Sequence, residues 1–161
     1  MSSQNTEGRD IRNFFNASTR LPLPDFLEKV KAYSANIEGA LSAMRRANEV
    51  LHKWDSIWPD QCDMVAFSLQ RIHQPTHDFA VFLRQTSHLP IAAIAKNYQL
   101  VAELNYFEIQ IQKLLLICQG QSRPLYRQRL EILQHIEEII RRGEEITRQI
   151  DTWLDSLSLQ E

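Results

Sequence analysis

The sequence predicts an all-α fold, an antiparallel up-down-up-down four-helix bundle with long helices, on three observations. Apolar residues recur every three or four positions through most of the chain after residue 20. The 161 residues include only four glycines and six prolines, too few to punctuate many short elements. No stretch alternates apolar and polar residues as a half-buried strand does. Short connections between the helices then make neighbours antiparallel.

The segment around which the rest is organised is 92–118. Ala93, Asn97, Leu100, Leu104, Phe107, Ile111, Leu114 and Cys118 follow an unbroken 4-3 spacing, the seam of a helix packed lengthwise on others. Val101 and Leu115 widen the seam; Gln99, Glu103, Gln110 and Lys113 lie opposite. Glu108 is the exception, an acid inside the apolar sector between Leu104, Ile111 and Leu115.

In chain order, residues 1–20 form a polar, flexible leader, and a single domain occupies 21–161. Within the leader, Ile11, Phe14 and Phe15 are expected to dock on the bundle or on a partner, since paired phenylalanines are costly to leave in water. The run Leu21-Pro22-Leu23-Pro24-Asp25 starts the first helix, with proline tolerated in a first turn and Asp25 and Glu28 at the positive end of the dipole. Its seam is Leu27, Val30, Ser34, Ile37, Leu41, Met44, Asn48 and Leu51, and a flanking row from Phe26 and Tyr33 extends it to about Trp54.

Ile57 and Trp58 fall in the turn that follows. An apolar aromatic there either folds over the bundle end or anchors a partner. The second helix starts near Asp60, with Cys62, Val65, Leu69, Ile72, Thr76, Phe79, Leu83 and Thr86 in its seam. Pro75 removes a backbone bond, but the pattern keeps its phase across it, which favours a kink near His73–Thr76 over a separate element. Residues 87–90 turn into the third helix. Gly120 ends that helix in a left-handed conformation; Ser122 caps the fourth, with Pro124 in its first turn. The fourth helix is expected from Arg123 to Leu157 and is roughly 50 Å long. One of its tracks is Leu125, Ile132, Ile139, Ile146 and Trp153; the other is Arg129, Ile136, Gly143, Ile150 and Leu157. Its outer face, from Glu137 to Arg148, is a solvated run of Glu-to-Arg pairs.

A net charge of -2 gives no electrostatic footprint for nucleic acid or an anionic membrane. No apolar run approaches the roughly 18 residues of a membrane span. The first ten residues lack an apolar signal core, and two cysteines without an export signal read as reduced thiols in a cytoplasmic protein. No glycine-rich phosphate loop, Cys-x-x-Cys pair or nucleophile elbow is present, so neither a cofactor nor catalysis is expected. Arg129/His135 and Arg46/His52 share an Arg-x5-His spacing found in some helical ribonucleases. With 13 arginines and five histidines, about one such match arises by chance.

Antiparallel topology fixes heights. Cys62 and Cys118 lie near one end, as a redox pair, as half of a metal site or as two small core residues. About three turns away come His73, His77, Asn105, Glu108 and His135. His73, Glu108 and His135 are candidate metal ligands, because bundle-core metal sites combine Glu and His from facing helices. Against this, the Glu-x-x-His spacing of di-iron bundles occurs once, as Glu49/His52, at another height. The competing account makes Glu108 and Arg129 a buried polar pair, Arg129 being the only charged residue on the fourth helix's tracks.

The function that follows is a non-catalytic helical interaction or regulatory module, self-associating as a homodimer through the second and third helices. Phe67, Val81 and Phe82 on one, with Ile109, Leu116 and Ile117 on the other, lie partly outside the seams; Phe14, Phe15 and Trp58 are further candidate contacts. The alternative is a bundle holding a metal or small ligand near Glu108.

Overall fold

The computed structural model describes residues 21–86, 89 and 91–159, the side chain of Ala92 excepted. The expectations for Ile11, Phe14 and Phe15 lie outside the described residues. Four helices follow in order: α1 (Leu23–Leu51), α2 (Pro59–Gln85), α3 (Ile91–Cys118) and α4 (Arg129–Ser158). Each packs on its sequence neighbours and α1 also packs on α4, whereas among the described residues the backbones of the diagonal pairs stay apart. This closed ring of adjacent contacts is the up-down-up-down bundle. Among the described residues, no helix is long and apolar enough to cross a membrane.

All four helices feed one apolar core, joined by Ile57 and Leu125 from the connections. The eight positions of the α3 seam are all buried, Asn97 among them. Asn97 has a specific use: its Nδ2 donates at 3.1 Å to the Leu83 carbonyl in the last turn of α2, which among the described residues otherwise accepts only a 3.3 Å bond from the N–H of the capping Thr86. At the α1 start, Phe26 stacks on Phe82 and meets Trp153 edge-on, each with centroids 5.7 Å apart, and Tyr33 stacks on Phe79.

Gly143 sets how closely α1 and α4 approach. A Cβ built there would lie 2.7 Å from both terminal methyl carbons of the buried Leu41. Gly120 takes φ 72 after α3, the left-handed conformation expected of it. α2 runs unbroken through Pro75, one element rather than two.

Two helix ends differ from expectation. α1 stops at Leu51, leaving Trp54 in the connection, and α4 begins at Arg129 rather than Arg123. The reason for the late start is tertiary. Leu125 is drawn into an antiparallel bridge with Ile57, its N–H donating to the Ile57 carbonyl at 2.7 Å and its carbonyl accepting from Ile57 at 3.0 Å. Extended backbone at Leu125 is incompatible with a helix through 123–128. The two connections at this end are thereby stitched together.

Candidate functional site

Glu108 finds its partners on α2. His73 and His77 stand one turn apart, so their rings stack with centroids 6.0 Å apart and planes 8° from parallel. Both face one carboxylate oxygen: Glu108 Oε1 lies 2.7 Å from His77 Nδ1 and 3.1 Å from His73 Nε2. The carboxylate is largely sheltered at 15% exposure, while the imidazoles are more open. His73 Nε2 also lies 3.3 Å from the Gln112 amide nitrogen. One ring nitrogen cannot both donate to Glu108 and accept from Gln112, so the two contacts belong to different tautomers.

The expected pairing of Glu108 with Arg129 is therefore corrected. Arg129 Nε donates to the Trp54 carbonyl at 2.7 Å, tying the start of α4 to the α1–α2 connection. Equal height does not fix angular position, and Glu108 is turned toward α2. The proposed trio of His73, Glu108 and His135 is not assembled either. His135 stays on α4, 3.8 Å from Glu131 of the same helix. Among the described residues, no group of three or more His, Cys, Asp and Glu is arranged to hold a metal ion.

Cys62 and Cys118 are buried and free, and close enough that charge on Cys62 would bear on Cys118. Burial, with a smaller push from Cys62, raises the Cys118 thiol to about 12; burial, then Asp63 and Asp60, also raises Cys62. Protonated thiols of this kind are poor nucleophiles. The two cysteines lie at one end as expected and act as core residues.

The apolar candidates separate into distinct places. Phe82 is not a surface residue: the aromatic rings of Phe26 and Tyr33 from α1 cover it. Ile117 packs against the core. Phe67 is exposed, with the Arg71 guanidinium over its ring, and lies roughly 100° around α2 from the side that carries His73 and His77. Trp58 is half exposed at the bundle end, in the same connection as Trp54, and its backbone N–H donates to Gln61 Oε1 at 2.9 Å. Ile109 and Leu116 are exposed on α3.

Those last two belong to a longer feature that seam reasoning passed over. Ile91, Ala95, Tyr98, Ala102, Asn105, Ile109, Gln112 and Leu116 form a second 4-3 track, roughly 160° around α3 from the buried one, and it is this track rather than Gln99, Glu103 and Gln110, which lie to one side, that stands opposite the seam. None of the eight is buried; Ile91 is 89% exposed, Leu116 77% and Tyr98 73%. Ile94 and Tyr106 flank the track and are exposed as well. Within about 60° of its midline the only charged residue is Lys113. α3 is thus apolar on two opposite faces, and the bundle covers one.

The chain matches no family model, no curated protein and no solved structure.

Near the other end, a groove of about 460 Å³ runs between α3 and α4, spanned by Lys96 Nζ donating to Gln149 Oε1 at 2.8 Å. Trp153 lines it, but the indole Nε1 is itself buried and finds no partner among the described residues, so it offers no donor to a ligand there.

Proposed function

We propose that this chain is a non-catalytic interaction module that self-associates, with the outer face of α3 as its contact surface. One observation carries the reading: a helix already buried along one heptad track exposes a second, nearly uncharged one over its whole length. An apolar helix face of this length is normally covered rather than left in water. Depletion of charge with retention of Tyr, Ile and Leu is the composition of an interface centre.

The histidines fit this reading, since both are engaged with Glu108 in cross-linking α2 to α3. The buried, protonated thiols fit a reducing, cytoplasmic setting. Sedimentation velocity or light scattering at tens of micromolar tests the proposal. A dimer that dissociates on Leu116→Lys is the expected outcome; a monomer throughout that range removes it.

A further inference from the structure

Resting on that reading, we infer that the occupant of the α3 face is α3 of a second copy, laid antiparallel about a two-fold axis that passes between Ala102 and Asn105. The exposed track runs for nearly four heptads, the length at which such a pattern marks a helix pair. Its order is self-complementary. With the axis at its midpoint, Ile91 meets Leu116, Tyr98 meets Ile109 and Ala102 meets Asn105 of the other copy. Ala95 falls against Gln112, whose amide can reach the rim.

The antiparallel sense follows from volume. In a parallel pair every residue faces itself, so Ala95 and Ala102 would each leave a gap, Tyr98 would crowd Tyr98, and two Gln112 amides would be buried together. Reversal sets each alanine against a longer side chain and each large apolar residue against another, which evens the spacing along the contact. It also opposes the two helix dipoles. Asn105, half-buried in the single chain, would lie in the layer next to the axis, facing Ala102 of the other copy and one layer from its own symmetry mate. A polar residue at one such position is the usual device for fixing register.

The test exchanges charge across one predicted layer. Tyr98→Lys and Ile109→Glu both alter exposed side chains, so the bundle itself should fold, which circular dichroism checks. Each variant alone should dissociate at least 100-fold more readily than the unaltered chain. An equimolar mixture should recover association to within about tenfold. In the mixed dimer the introduced lysine of one copy meets the introduced glutamate of the other, while the remaining Tyr98 and Ile109 keep their contact.

If both variants stay dimeric alone, the contact lies elsewhere and the inference fails, though self-association stands. If each is monomeric and the mixture remains so, the antiparallel register is wrong and the α3 face survives as the contact. If the unaltered chain is a monomer at tens of micromolar, the reading of a self-associating module falls along with the inference, and the face is left to another protein or to the chain's own N-terminal residues.

Discussion

Glu108 is an acid in a helix sector otherwise given to the core, and its cost is offset by two imidazoles rather than by a guanidinium. A charge-assisted bond at 2.7 Å to a partly sheltered oxygen contributes more than an exposed ion pair of the same length. A double-mutant cycle on Glu108→Gln and His77→Ala should therefore show coupling of about 0.5–1.5 kcal/mol. The cycle of Glu108→Gln with Arg129→Met should show none, since Arg129 is bonded to the Trp54 carbonyl. Cys118 gives a pH signature. Its thiol lies at about 12 in the fold against an ordinary 9.0, so folding favours the protonated form. That contribution is complete below about 9 and is lost as pH rises toward 12. In urea unfolding at a series of pH values, Cys118→Ala should be the less stable protein at pH 7, through the cavity it leaves. The gap should narrow between pH 9 and 12. At this scale the sequence made Glu108 conspicuous but misassigned its partner. Heptad spacing gives height along a bundle, while the choice between two neighbouring helices rests on a rotation of α3 that only its packing decides.

Between elements, α4 offers Gly143 to Leu41 with no room for a Cβ. Gly143→Ala would gain about 1 kcal/mol of helix propensity and lose more by pressing on a buried leucine. The single change should thus lower stability by about 1–2 kcal/mol. In a Leu41→Ala background the clash is gone, and the same change should raise stability by up to about 1 kcal/mol. Chemical denaturation of the four proteins reads the change of sign. Pro75 is a second handle. It leaves the Arg71 carbonyl without its helical donor inside an unbroken α2, so Pro75→Ala should stabilise by about 1–3 kcal/mol, measured as a higher Tm. The helices themselves were legible: every position of the α3 seam is buried, and Gly120 ends that helix in the predicted conformation. The start of α4 was not. Ser122 and Pro124 carry local signals for a helix start, and a backbone bridge from Ile57 overrides them.

Over the whole molecule, one face of one helix decides whether the bundle is complete alone. Both tracks on α3 are present in the sequence, but Ala95, Ala102, Asn105 and Gln112 dilute the outward one, and Ile109 and Leu116 group by residue type with Phe67 and Phe82. Phe82 is enclosed by α1 and Phe67 points elsewhere, facts that depend on which helix stands beside α2. If the bundle pairs through α3, folding is linked to concentration by mass action. The Tm of the unaltered chain should climb by several degrees from micromolar to hundreds of micromolar, and that of Tyr98→Lys should stay flat.

The bridge between Ile57 and Leu125 has a further consequence. It clasps the two interhelical connections at one end, so neither can lift away without breaking both backbone bonds and exposing the fully enclosed Ile57. In deuterium oxide, the amide protons of these two residues should persist as long as those in the centre of α3. Connection amides outside the clasp, such as that of Arg127, should be replaced almost at once.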